Sequence, residues 1–136
     1  MLGLSARFAV VVDGIDLGAW ESCAGLKVDF GLVEWAEGGT NSHSYWLPGR
    51  LKYEKITLTR AMAAGDSARL IAWLSSRIDK DTGGTAKITL RDAHNQDVCS
   101  WTLKNVLPFA WEGPGLDAKQ NTVALEKLVL AHEGFL

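Results

Sequence analysis

The sequence predicts a mainly β fold with one flanking α-helix over about residues 66–78, built on a sheet that curls toward a barrel. Three observations carry this reading. Short alternating apolar and polar segments recur between clusters of Gly, Pro, Asn and Asp, as half-buried strands do. A single long amphipathic stretch, Asp66 to Ile78, combines a capping residue with an apolar stripe. The alternation also slips phase at Leu32-Val33, where Val28, Phe30 and Leu32 give way to Val33 and Trp35, the mark of a bulge or strong twist.

Taken in order, Arg7 to Val12 is β-branched and ends at Asp13-Gly14, which predicts a strand and a tight hairpin turn. Ala19 to Cys23 gives a short second strand, and Lys27 to Leu32 a third. Residues 37–51 lack a period and collect Gly, Thr, Asn, Ser and Pro, so they read as a long loop, of the kind that is usually functional in a compact domain. Lys55 to Arg60 predicts a strand with Ile56 and Leu58 inward and Thr57 and Thr59 outward. In the helix, Asp66 is the expected cap, and Leu70, Ile71, Trp73, Leu74 and Ile78 form the apolar stripe, with Gly83-Gly84 beyond. Ala86 to Arg91 and Val98 to Leu103 predict two strands joined by the polar turn Asp92 to Asp97, and Pro108 and Gly113-Pro114-Gly115 punctuate the chain after Leu103. Asn121 to Glu133 is rich in helix formers, with Leu125, Leu128, Val129 and His132 on one helical face.

Bulk properties exclude several classes of function. At 136 residues the chain fits one domain, 1–136, long enough to bury a real core. The formal charge of −2 is spread with interspersed signs, which is no footprint for a nucleic-acid backbone. No apolar run approaches the length of a membrane span, and Met1 to Arg7 lacks the layout of a secretory signal, so synthesis and assembly are expected in the cytoplasm. Cys23 and Cys99 lie far apart in apolar, strand-like contexts and read as reduced core cysteines.

Catalytic and cofactor grammar is absent too. His43, His94 and His132 share no ligand spacing with each other or with the cysteines, so no metal site is expected. Asp13, Asp16, Asp29, Glu34 and Glu37 sit at turns or on polar strand faces, without the spacing of a paired-carboxylate site. No Gly-x-Ser-x-Gly elbow exists, and Ser42-His43-Ser44 has no identifiable acid partner. Gly38-Gly39 and Gly83-Gly84 lack the phosphate-binding form. No cofactor and no catalysis are therefore expected.

What the sequence does contain is shaped loop chemistry. Glu37 to Asn41, with Gly38, Gly39 and Asn41, leads into Leu47-Pro48-Gly49-Arg50, where Pro48-Gly49 can reverse the chain and Arg50 can reach a carboxylate bidentately. Six tryptophans, at 20, 35, 46, 73, 101 and 111, are a heavy load for this length. Trp73 and Trp101 read as core, and Trp46, set in the polar loop, as an interface residue.

These blocks, with Phe8 to Gly18, Ala24-Gly25-Leu26, Ile56 to Arg60, Trp73, Trp111 to Ala118, Glu126 and Ala131 to Gly134, run in one order along nearly the whole chain. In that order the chain resembles the tail-tube proteins of contractile phage tails and of phage-tail-like contractile injection systems. Trp20 stands where a Phe is more usual, and Cys23 at a variable position. The resemblance implies a tail-tube/Hcp-like β-barrel or two-sheet sandwich, with a strand rather than a helix at Asn121 to Glu133. It implies a structural subunit: hexameric rings stacking into a rigid conduit inside a contractile sheath, meeting baseplate or tube-initiator proteins at the end. DNA or a protein effector would pass through a lumen of short polar or mildly acidic side chains without tight binding. It also implies that residues 37–51 clasp neighbouring subunits, through Gly38, Gly39, Asn41, Trp46, Leu47, Pro48, Gly49 and Arg50. The subunit itself would not insert in a membrane, and the particle could be a phage tail or an extracellular or membrane-anchored machine. The alternative of another class is a small β-rich binding module or enzyme, with a pocket made by tryptophans and His94 or His132.

Overall fold

A computed structural model of the chain describes residues 6–36, 44–115 and 124–136. Gly38, Gly39 and Asn41, and the acid and histidine at 37 and 43, lie outside the described residues. The elements are β1 (Arg7–Val12), β2 (Ile15–Trp20), β3 (Ser22–Ala24), β4 (Val28–Asp29), β5 (Val33–Ala36), β6 (Ser44–Leu47), β7 (Lys52–Tyr53), β8 (Ile56–Ala61), α1 (Ala64–Ser76), β9 (Gly84–Arg91), β10 (Asp97–Glu112) and β11 (Leu125–Ala131).

Seven strands form one sheet in the order β2-β1-β9-β10-β11-β8-β3. Its two ends are β2 and β3, so the sheet is not a closed barrel; it is folded over into two layers. The fold is made by β10, which pairs antiparallel with β9 from Asp97 to Val106 and with β11 from Leu107 to Glu112. The register shifts between Leu103 and Val106, and Asn105 sits there at φ +49°, a left-handed conformation that Asn tolerates. At the opposite corner β2 runs straight into β3, and the Glu21 amide donates to the Thr59 carbonyl at 3.0 Å. The two-sheet sandwich is therefore the form realised, with a single flanking helix among the described residues.

Alternation puts the core between the layers. Val10, Ile88 and Trp101 lie in one row of register, and Val12, Ala86 and Leu103 in the next; across from them stand Ile56 with Leu130 and Leu58 with Leu128. Each fully buried Leu, Ile or Val contributes about 1.5–3 kcal/mol. Asp13-Gly14 forms the hairpin turn expected, both residues at positive φ (+50° and +81°), with Val12 opposite Ile15.

Several boundaries differ from the sequence reading. Helix α1 starts at Ala64 after an extended Ala63 that provides no side-chain cap, and Asp66 instead pairs with Arg69 in the first turn. Leu70 and Trp73 are buried and Leu74 half-buried, but Ile71 is exposed, and Ile78 lies beyond the helix end and is also exposed. Pro108 stands inside β10, opposite Leu130. The segment expected as a strand from Lys27 to Leu32 keeps only Val28–Asp29, because Gly31 turns the chain at φ +64°. The segment from Leu125 to Ala131 is a strand, as the resemblance implied. Cys23 is half-buried, whereas Cys99 is exposed rather than in the core. Burial pushes the Cys23 thiol up to about 11, so it stays protonated. No helix among the described residues is long and apolar enough to cross a membrane.

Candidate assembly interface

Where the sequence reads as loop, the chain builds an arm. Strands β5 and β6 pair antiparallel, with Val33 opposite Leu47, Glu34 opposite Trp46 and Trp35 opposite Tyr45, and they pair with no other strand among the described residues. In such a ribbon, residues directly opposite one another share a face. Val33, Leu47, Trp35 and Tyr45 thus form one face, and Glu34 and Trp46 belong to the other. All six are exposed, Trp46 at 62% and Trp35 at 58%. Phe30, Leu32 and Leu51 at the arm's root are exposed as well.

An isolated two-stranded ribbon is marginal in water, and a contiguous exposed apolar patch marks an interaction site. The arm's root is built to project it. Strands β4 and β7 pair Val28 with Tyr53 and Asp29 with Lys52, and Asp29 Oδ1 accepts from the Gly31 amide at 2.7 Å. Above that pair, the backbones of Gly31 and Gly49 cross so closely that a methyl on Gly49 would collide with the Gly31 carbonyl, and one on Gly31 with the Arg50 carbonyl. Gly49 is therefore needed for a close approach of backbones. Pro48 and Arg50 lie beside it, both exposed.

Of the candidates at 37–51, Trp46, Leu47, Pro48, Gly49 and Arg50 fall together on the arm or its root. Trp35, Val33 and Tyr45 join them as arm residues that the sequence reading does not single out. The available signal is four large apolar residues, Tyr45, Trp46, Leu47 and Leu51, inside a stretch polar enough to read as loop.

The alternative pocket is placed differently. His94 lies exposed in the β9–β10 turn, where Asp92 Oδ1 accepts its amide. His132 lines a cleft of about 720 Å³ with Tyr53, Glu54, Lys27, Lys52 and Lys55, and no tryptophan lines that cleft among the described residues. A carbonyl can only accept, so His132 Nε2 carries the proton donated to Glu54 O (2.9 Å), and Nδ1 accepts from the Gly134 amide (3.1 Å). Burial lowers the His132 pKa, and the Glu54 hydrogen bond opposes that shift. Both nitrogens are used structurally, which leaves neither free as a base. Among the described residues no group of His, Cys, Asp and Glu is arranged to hold a metal ion.

The polar centre of the molecule also serves structure. Arg60 is 2% and Glu126 1% exposed, and they pair at 2.6 Å between β8 and β11. Arg60 also donates to the Leu17 carbonyl (2.6 Å) and lies 3.9 Å from the Trp20 ring centroid. Glu126 accepts from Ser67 Oγ (2.9 Å) and Trp111 Nε1 (3.2 Å). One ion pair thereby ties together β2, β8, α1, β10 and β11. Gly18, at φ +91°, makes room for it: a side chain there would strike Arg60 and Asp66.

Comparison with known proteins agrees with this architecture. The model of the T4-like virus tail tube protein gp19 family matches residues 4–136. A chain in a structure of the anti-feeding prophage (AFP) baseplate superposes with a TM-score of 0.75 at 23% identity, covering 98% of this chain and 92% of that one. A chain of the PVC sheath-tube complex of an extracellular contractile injection system gives 0.75 at 23% identity, covering 94% and 85%. Hcp1 from Flavobacterium johnsoniae shares the fold more distantly, with a TM-score of 0.52 at 10% identity over 93% and 89%. No curated protein matches significantly in sequence. A family match over nearly the full length, on a sandwich that projects an apolar arm, places the chain: it belongs to the T4-like virus tail tube protein family and is a structural subunit of a tail tube.

Proposed function

We propose that the chain forms hexameric rings that stack into the inner conduit of a phage-tail-like particle, within a contractile sheath and on a baseplate. The exposed apolar arm is the observation that carries this reading, since a two-stranded ribbon is marginal in water and a large exposed apolar patch favours a partner. The structures of the baseplate and of the sheath-tube complex give the fold the same context. Residues 37–51 act as the clasp, Arg50 contacts a neighbour's carboxylate, and the subunit works by shape and stiffness without catalysis. The whole chain acts as one domain, made in the cytoplasm and carried in the particle. DNA or protein cargo passes through the lumen without tight binding.

The test is to delete the arm's middle or replace Arg50 with Ala in the full chain. Tubes should fail to form while the melting transition stays cooperative, because exposed arm residues contribute little to the core. Normal tubes from the deletion would contradict the clasp. For the inert lumen, assembled rings are titrated with single- and double-stranded DNA at low salt, where electrostatic affinity is exaggerated. Weak, salt-sensitive binding fits a conduit; tight binding that survives added salt refutes it.

A further inference from the structure

We propose that His132 is a proton-operated pin at the arm's root: at neutral pH it fastens both legs of the root to the C-terminal segment, and acid releases it, so that assembly through the arm depends on pH. The inference rests on the arm being an assembly element and goes beyond it. A hydrogen-bonded path runs across the root. The Glu54 amide, just after β7, donates to the Lys27 carbonyl, just before β4, at 3.3 Å, and the Glu54 carbonyl accepts from His132 Nε2 at 2.9 Å. His132 Nδ1 accepts from the Gly134 amide at 3.1 Å, and Tyr53 of β7 stands edge-on to Phe135 with ring centroids 5.2 Å apart. One imidazole thus joins three stretches of chain.

The ring fills both roles only in one neutral tautomer. Nε2 already carries the proton that the Glu54 carbonyl accepts, so an added proton can enter only the Nδ1 lone pair. Protonated Nδ1 then faces the Gly134 N–H, donor against donor, and the bond that holds the C-terminal turn is lost. Gly134 is held where it is, because its carbonyl accepts from the Lys104 amide at 2.8 Å and it lies so close to the Tyr53 ring that a methyl there would strike it. The imidazolium is therefore what leaves, and the bond to Glu54 goes with it.

The surroundings offer the charged ring nothing in exchange where it stands. Lys27, Lys52 and Lys55 line the adjoining cleft against Asp29 and Glu54, with Tyr53 beside them. Asp29 Oδ1 already accepts from the Gly31 amide, Lys104 Nζ donates to the Leu136 carbonyl, and Glu133 is exposed. Among the described residues no carboxylate forms an ion pair with His132. The cleft, about 720 Å³, has room for the ring and for water to solvate its charge. Partial burial accordingly lowers the pKa of the pinned ring from the ordinary 6.5, against the opposing effect of the Glu54 bond. The released ring takes the proton at its ordinary pKa, so the pin holds fully above that value and weakens as pH falls below it.

Two measurements on the full-length chain test this. In dilute, unassembled protein, NMR follows the His132 ring and the Gly134 amide from about pH 8 to about pH 5. The two should titrate together with a midpoint below the ordinary histidine value, and contacts between the Tyr53 and Phe135 rings should fade over the same range. The second compares the concentration needed for tubes at about pH 7.5 and about pH 5.5, for the wild type and for His132→Gln, whose amide can donate and accept but takes no proton. The wild type should need roughly five- to tenfold more protein at the lower pH, a factor bounded by about ten for one pH unit below the open ring's pKa. His132→Gln should need less than about twofold more, since His43 and His94 titrate in both proteins. A Gly134 amide that does not follow the ring, or a wild-type threshold equal at the two pH values, overturns the proposal and leaves the arm's role standing. If the wild type forms no tubes at either pH, the arm reading falls and the pH-dependent assembly with it. If His132→Gln shows no cooperative melt, the shared midpoint of ring and Gly134 amide in the wild type, with its two thresholds, decides.

Discussion

Trp20 and Trp46 are both carried on short strands, yet Trp20 is 1% exposed beneath the Arg60 guanidinium and Trp46 is 62% exposed on a ribbon with no layer over it. The contrast extends to the regions around them. In the sandwich, the strands pair within the sheet, the apolar rows face inward, and the buried charges Arg60 and Glu126 pair with each other. In the arm, aromatic residues point outward on both faces and the strands pair only with each other. The sandwich buries its own apolar rows, and the arm leaves its large residues exposed in the single chain. Stability and assembly should therefore be separable by mutation.

The largest expected effect breaks the sandwich. Glu126→Ala leaves the Arg60 charge buried without its carboxylate, and removes the acceptor used by Ser67 and Trp111. Losing one partner of a buried pair costs about 3–5 kcal/mol, which urea titration should show as a drop in midpoint. Trp46→Ala in the same titration should stay within about 0.5 kcal/mol of the wild type. Equal losses from the two substitutions would erase the distinction between sandwich and arm.

A smaller effect is expected where the regions meet. Tyr53 of β7, at the arm's root, packs against Phe135 and His132 of the C-terminal segment, at ring-centroid distances of 5.2 and 5.4 Å. Partial burial of His132 lowers its pKa from the ordinary 6.5, so folding favours the neutral ring. Above the unfolded value both states are neutral and the contribution is complete; as pH falls below it, the unfolded chain binds the proton first and stability declines until the folded pKa is passed. Protonated Nδ1 would also oppose the Gly134 amide that now donates to it. Denaturation between pH 7 and 5 should show a shallower loss for His132→Gln than for the wild type. Parallel slopes would mean that His132 does not couple the C-terminal segment to pH.

How far the sequence reveals these regions depends on the same contrast. Strands β1 and β8 are legible because one face is buried within the monomer, which imposes the alternation of Val10, Val12, Ile56 and Leu58. Strand β6 reads as loop because Tyr45, Trp46 and Leu47 are three large residues in a row that give no alternation, and no layer formed by the described residues buries either face. Strand β10 reads as ending at Leu103 because Pro108 resembles punctuation, whereas Asn105 and Pro108 lie where one strand passes between layers. Asp66 looks like a cap because the chain's extended entry at Ala63 has no sequence signature. At the C-terminal strand the family resemblance overrides helix-forming composition, and pairing to β8 and β10 outweighs local propensity. The Arg60–Glu126 pair joins residues 66 positions apart, a separation no local motif encodes.

The central claim is that this chain is a ring-forming conduit subunit joined through its arm. Mass-resolved light scattering of the purified protein over a rising concentration series, with microscopy of the same samples, tests it most directly. A hexameric species that gives rings and then stacked tubes is the predicted result. Strictly monomeric protein at every concentration, with no rings of this chain inside intact particles, would contradict it.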